Sequence, residues 1–283
     1  MNLKIAILIT CYNRVETTKE CLKHCFSSLS LVDSFNYDIF LLDDNSPDKT
    51  GEILKKMYPG INVIYGNGKY FWSGGTRKLW ELASKKKDYD YYVWLNDDTI
   101  LFKNAFSIIY NDIKIKSSSI IVGSFISSNQ NLNELTYGGR DKKLSLLIPS
   151  GKPQECLFIN GNFVFIPREI FKKVGFLSKM FTHNYGDTDY GLRAIKKNFK
   201  IFIASQVVGV CNKNDLELWR KPNTSFFARL KSFHESKNYN IKEVMYFQLF
   251  HFGLFALLKN LIGIFMIILY PKVYYKLSKF NYK

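Results

Sequence analysis

Cysteine is sparse in these 283 residues. The five thiols, Cys11, Cys21, Cys25, Cys156 and Cys211, form an odd set without C-x-x-C spacing. That pattern excludes a disulfide framework and points to a reducing compartment. Cys21 and Cys25 lie four apart on an expected helix, where they suit packing of a helix face; a metal pair is the alternative reading. A secretory leader is not expected either. The apolar run in MNLKIAILITCYNR is too short for an h-region and has no cleavage site, so it reads as the first strand of a folded domain. There are no internal repeats or low-complexity tracts. Negative charge is in short supply: 24 Asp and Glu against 40 Lys and Arg leave +16. Such an excess suits nucleic acid, anionic lipid and phosphate-bearing substrates alike. Because no nucleic-acid-binding signature accompanies it, nucleic acid is set aside as a partner.

A hydrophobic content of 47%, with 16% aromatic residues, excludes wholesale disorder, and the length suits one large α/β domain with an appendage. Buried strands are expected at Ile5–Thr10, Tyr37–Leu42, Ile61–Tyr65 and Tyr91–Leu95. Helices are expected at about Glu16–Leu29, up to Tyr58, and near Arg77–Lys86, the last preceded by a glycine-rich loop, SGGT. Strands alternating with crossover helices predict a mostly parallel, Rossmann-like sheet with helices on both faces. Further on, short β-like pieces (Ile120–Phe125, Leu144–Ile148, Asn162–Ile166) give way to a helix from Asp189 to Lys197 and two short strands, Lys200–Ala204 and Gln206–Val210. The organisation predicted is a catalytic domain over 1–211, with a nucleotide-donor half (1–98) and an acceptor half (99–211), followed by a basic linker and an apolar helical region over 212–283.

Polar clusters close strand after strand, where open α/β sheets place their ligands. Asp43, Asp44 and Asn45 end the second strand; residues of this kind also begin turns and cap helices. Asn96, Asp97 and Asp98 end the fourth. Adjacent carboxylates there suit Mn2+ or Mg2+, hard ions that keep positions for phosphate oxygens. In NYGDTDYGLR, Asp189 reads as the cap of the following helix, while Asp187 has no evident structural task.

The order of these clusters resembles that of the family 2 glycosyltransferases, whose catalytic domains have the GT-A fold, over roughly Leu3 to Val210. ILITCYNR resembles the family's opening strand and turn, and LLDDNSPDKT its second signature. WLNDDT stands at the D-x-D position, GNFVFIPREIFKKVG resembles the mid-domain strand and helix, and YGDTDYGLR is similar to the acidic acceptor-side motif. The LNDDT and DYGLR pieces look most like enzymes that build bacterial surface polysaccharides. The resemblance implies an inverting transfer from a nucleotide-diphosphate sugar, UDP- or dTDP-linked, to a saccharide or lipid-linked saccharide. It assigns Thr10, Tyr12 and Asp44 to the nucleoside, with Asp44 accepting from the base. Asp98 becomes the main metal ligand, Asn96 and Asp97 support it or touch the donor, Arg77 faces the diphosphate, and Asp187 is the general base. Two departures stand out: Gly186-Asp187 replaces the Glu-Asp of many relatives, and VVGVCNK carries Cys211 where GT-A enzymes often supply a histidine to the metal. The third ligand is then expected to be water. The rival enzyme class, sugar-phosphate nucleotidyltransferases, usually carries glycines in the first turn, which TCYNR lacks. The rival outside catalysis is an inactive membrane- or nucleic-acid-binding protein.

VMYFQLFHFGLFALLKNLIGIFMIILYP is nearly all apolar. On a helical wheel Gln248, His251 and Lys259 fall on one narrow stripe. Lys259 in mid-span, and a tail with only positive charges that a crossing would export, favour a helix or helical hairpin lying in the inner leaflet over one spanning it; a buried helical subdomain packed on the catalytic domain is the alternative reading. The enzyme is accordingly expected to be cytoplasmic and peripheral on the inner face of the cell membrane, and a chain ending near Lys237 to remain competent for donor.

Overall fold

A computed structural model describes residues 2–128, 134–213, 221, 223–233 and 240–274. Much of the basic linker and the tail from 275 onward lie outside these residues. Among these described residues the elements follow in the order β1 (Leu3–Cys11), α1 (Val15–Leu29), β2 (Phe35–Asp43), α2 (Thr50–Met57), β3 (Asn62–Tyr65), α3 (Phe71–Lys86), β4 (Tyr91–Leu95), β5 (Ile100–Leu101), α4 (Ala105–Ile115), β6 (Ser119–Ile126), β7 (Leu135–Tyr137), β8 (Gln154–Glu155), β9 (Phe163–Pro167), α5 (Arg168–Val174), α6 (Gly186–Lys196), β10 (Lys200–Val210), α7 (Phe226–Ser232) and α8 (Ile241–Leu269). The strands form one sheet in the order β3-β2-β1-β4-β9-β6-β10-β5, with β7 beside β6 and β8 beside β10. Strands β1 to β4 are parallel; β9 enters antiparallel between β4 and β6.

Side-chain alternation builds two cores from the same strands. Ile5, Ile7 and Ile9 of β1 join Leu22, Cys25, Leu54 and Phe106 on one face. Ala6 and Leu8 join Leu79, Trp80, Ile170 and Tyr190 on the other. Strands buried on both faces show continuous apolar runs rather than alternation, as ILIT and YYVWL do. Cys21 and Cys25 pack in the first core, and all five thiols are free and buried.

Three expectations need correction. SGGT is not a loop but lies inside α3, which starts at Phe71. Gly75 serves close packing: a Cβ there would stand 2.6 Å from Thr10 Cγ2. The two strands expected over 200–210 are one, β10, with its register shifting between Ile203 and Val207. Leu144–Ile148 is no strand; Arg140 makes an isolated bridge with Leu146.

The C-terminal helix is long and apolar enough by length and composition to cross a membrane, yet it is not straight. Gly253 holds φ 83° and ψ −177°, a break only glycine takes readily. Val244 shares an apolar cluster with Phe233, Ile264 and Ile267. A straight helix would separate Val244 from Ile264 by about 30 Å, so α8 folds back at Gly253 as a hairpin. The expected stripe of Gln248, His251 and Lys259 is therefore broken, and His251 turns inward with its side chain 1% exposed.

Candidate active site

Winding from β1 to β2 and β3 runs to one side, and β4 lies on the other side of β1. The strand order thus reverses between β1 and β4, and the crevice at their carboxyl ends is where such sheets bind ligands. Both walls carry candidate residues. Arg14, in the turn after β1, places Nη1 3.3 Å from Asp97 Oδ1 and 3.3 Å from Asp98 Oδ2, both just past β4. Asp98 is partly open to solvent, whereas Asp97 is buried beneath it. Burial pushes the Asp97 carboxyl up to about 7, with Arg14 opposing and Asp98 reinforcing the rise.

Cys211 occupies the flank of this pair, its Sγ 3.9 Å from Asp98 Oδ1 and also accepting from Asn162 Nδ2 at 3.3 Å. Its thiol is pushed up to about 12, chiefly by burial. Among the described residues no three His, Cys, Asp or Glu side chains form a ready-made metal cage. Two adjacent carboxylates beside an open crevice still fit a hard divalent ion, which commonly takes one or two carboxylates and completes its shell with water and substrate phosphate.

Asn96 links the metal wall to the opposite side of the crevice. Its Oδ1 accepts from Trp72 Nε1 at 2.6 Å, and its backbone N–H donates to Asn162 O at 2.9 Å. The Trp72 ring lies so close to Gly161 that a Cβ there would collide with it. Gly161 N–H in turn donates to Asp187 Oδ2 at 2.8 Å. The path Asn96–Trp72–Gly161–Asp187 sets the D-x-D cluster and the acidic acceptor-side motif on one crevice. Thr10, next to the last residue of β1, lies against Gly75, and Tyr12 stands exposed just past the strand.

Asp44, expected to read the base, is buried and already engaged. Its Oδ1 accepts from Gly68 N at 2.8 Å, and its Oδ2 from Tyr70 N and Phe71 N at 2.9 and 3.0 Å. Its first task is to hold the turn that launches α3. Asp43 plays the corresponding part for α2, accepting from Ser46 N and Gly51 N. Arg77 donates to Ser178 O at 2.9 Å and does not touch the carboxylates.

At the acceptor side Asp189 is not the helix cap: Tyr185 stands at the cap position, with no side-chain cap bond, and both acids lie in the first turn of α6. Asp187 accepts from Thr188 N at 2.7 Å besides Gly161 N. Burial raises its carboxyl above the usual range despite those donors. Asp189 lies inside the first turn of α6, fully buried between Arg193 Nε at 2.8 Å and His251 Nε2 at 2.9 Å. Residue 185 precedes the helix with φ 64°.

The sequence reading passed over Arg14 and Trp72, and it placed His251 on the polar stripe of the C-terminal helix rather than beside Asp189. Arg14 stood in the quoted TCYNR turn, and its place beside a strand end was the available signal. Trp72 and His251 gave none, because their partners lie 24 and 62 residues away.

The sequence profile described as Glycosyl transferase family 2 matches residues 6–175. Glycosyltransferase GlyG of Streptococcus pneumoniae serotype 4 is 21% identical over 186 residues, covering 61% of this chain and 59% of that protein, less than two thirds of its length. A mannosyltransferase of Pyrobaculum calidifontis, solved with GDP-Man and Mn2+, superposes with a TM-score of 0.57 at 10% identity, over 99% of this chain and 84% of that one. S. aureus TarS 1-349 with UDP-GlcNAc gives 0.54 at 12% identity, over 89% and 74%. At such identities the likeness concerns the fold, a GT-A glycosyltransferase fold.

Proposed function

The chain belongs to glycosyl transferase family 2 and is a glycosyltransferase, and from that premise we propose an inverting, divalent-metal-dependent transfer from a UDP- or dTDP-sugar. The acceptor is a hydroxyl of a saccharide or lipid-linked saccharide in surface polysaccharide synthesis, met at the cytoplasmic face of the cell membrane. The observation carrying this reading is that Trp72 donates to Asn96 and packs its ring against Gly161, whose N–H donates to Asp187, so that the D-x-D cluster and Asp187 border one crevice. Complexes of structural neighbours with nucleotide sugars and Mn2+ support the donor class and the metal.

Asp187 accepts the acceptor's hydroxyl proton while the hydroxyl oxygen attacks the anomeric carbon. The bond from that carbon to the diphosphate oxygen breaks, and a single in-line displacement inverts configuration. A carboxylate with a raised pKa is a better proton acceptor at neutral pH. Asp98, with Asp97 and Asn96 behind it, would hold Mn2+ or Mg2+, whose charge offsets that of the departing diphosphate. Arg14 presents a second cation at the same edge. Thr10, Tyr12 and the Asp44 turn form the nucleoside wall, and Arg77 steadies α3 below it.

A thermal-shift panel of UDP-glucose, UDP-N-acetylglucosamine, dTDP-rhamnose and GDP-mannose, with and without Mn2+, tests the donor step, because a ligand stabilises the fold that binds it. Wild type is expected to respond to one donor with Mn2+, and Asp98→Ala to lose the Mn2+-dependent part while keeping its own Tm. A donor response indifferent to EDTA, or unchanged in Asp98→Ala, removes the metal from this site.

A further inference from the structure

The turn that carries Asp187 is held from two directions, and only one belongs to the catalytic sheet. From α3, Ser73 N and Gly74 N both donate to Thr182 O, at 2.9 and 3.2 Å, and Ser73 Oγ donates to His183 O. From α8, Glu243 Oε1 accepts from Thr182 Oγ1 at 2.6 Å and from Thr182 N at 3.2 Å. Ten residues after the start of α8, His251 Nε2 meets Asp189 Oδ1 at 2.9 Å, with both side chains 1% exposed. Between these contacts the Phe247 ring lies 4.7 Å from the Tyr185 ring, centroid to centroid.

We propose that the first half of α8 is a clamp on the base, with Glu243 and His251 as positioning residues that act through Thr182 and Asp189 on either side of Asp187. The inference rests on Asp187 being the base. Three features argue for placement over mere filling. Buried polar contacts are directional where apolar packing is not, and each must be satisfied when the turn sits correctly. Asp189 is already paired with Arg193, which also donates to Val174 O and Phe176 O, so His251 is the partner that brings α8 into the network. The break at Gly253 comes two residues after His251 and frees Phe250 O, which accepts from Lys196 Nζ of α6 at 3.1 Å. The hydrogen bonds from Glu243, His251 and Phe250 to the base-bearing turn and α6 fall before the break.

The test uses the full chain and whichever donor of the panel binds, following its hydrolysis by water to free sugar and nucleoside diphosphate. His251→Leu removes the N–H at constant bulk, whereas His251→Gln keeps an amide N–H at similar reach. The clamp predicts that His251→Leu loses at least tenfold in kcat with donor KM within about twofold of wild type, and that His251→Gln recovers most of that loss. Glu243→Gln, which weakens the bonds to Thr182, should fall in kcat alone and keep the reading accessible if the Leu variant does not fold. Wild-type kcat in both His251→Leu and Glu243→Gln overturns the proposal. Equal impairment of Leu and Gln variants, or a matching loss of donor affinity, also overturns it in favour of packing. Asp187→Asn is assayed beside them. If that variant turns over normally, or no donor binds, the base assignment itself fails; if it is inactive while the α8 variants are normal, only the clamp fails.

Discussion

Asp187 is held by two backbone N–H groups, which favour its charged form, yet burial lifts its carboxyl above the usual range. A base must be unprotonated to accept, so activity is lost as pH falls through this raised value. The acid limb of kcat/KM should therefore lie above the ordinary carboxylate range. Asp187→Asn should lower turnover about 10²–10⁴-fold, the usual contribution of a positioned base, and abolish that limb. The same group sets a sign for stability. A carboxyl whose folded pKa is raised contributes stability below its unfolded pKa, which is lost as pH rises through the folded one. Asp187→Asn should thus flatten the acid side of the Tm-against-pH curve, and donor affinity should be unchanged by calorimetry. Retention of configuration in the product would remove the single-displacement scheme. The neighbouring acid has a different character: Asp189→Asn should lower Tm, because Arg193 and His251 would face a neutral amide in a buried site.

At the scale of elements, the strands were readable because burial on both faces leaves unbroken apolar runs, and ILIT, IFLL and YYVWL end within one or two residues of the observed strands. The position of the acidic clusters at strand ends followed from the same runs. What was not readable depended on contacts distant in sequence. SGGT looks like a loop because glycine is a poor helix former, but its helix is fixed by the approach of Gly75 to Thr10 on β1. Asp189 looks like a cap because acids favour helix starts, but its partners are Arg193 one turn on and His251 on another helix. For the same reason a cut near Lys237 is not neutral, as the composition of the region implied. It would remove Glu243 and His251 and leave Thr182 and Asp189 short of partners. Each unsatisfied buried polar group costs about 1–3 kcal/mol. A chain ending at Lys237 should show a Tm lower by several degrees and weakened hydrolysis of donor, whereas one ending at Phe252 should keep the hydrolysis. Equal Tm and activity for the two would mean that α8 contributes nothing before its break.

For the whole molecule, the net charge of +16 and the second half of α8 point to the same neighbour. Past Gly253 the inward side is filled by Leu257, Ile264 and Ile267, all buried. A second stripe faces outward: Phe255, Leu258, Ile262, Phe265 and Leu269, at helical spacings of three and four, are between 46% and 83% exposed. A contiguous exposed apolar stripe on a soluble fold marks a contact surface, and a basic chain suits an anionic lipid surface. Near such a surface each Lys or Arg adds attraction of roughly 1 kcal/mol. The break at Gly253 lets this stripe lie along a membrane while Glu243 and His251 stay docked on the catalytic domain. Wild type should sediment with vesicles containing phosphatidylglycerol more strongly than with neutral phosphatidylcholine, and the difference should shrink in high salt. Phe255→Asp combined with Ile262→Asp should abolish sedimentation with little change in Tm or in donor binding, because neither side chain packs inside the protein. If the double variant still sediments, the stripe is not the lipid contact; if it loses Tm as well, the stripe is packed and not free. A C-terminus protected from protease on the far side of sealed inverted vesicles would show a true crossing, since a peripheral hairpin leaves that end on the side of the catalytic domain.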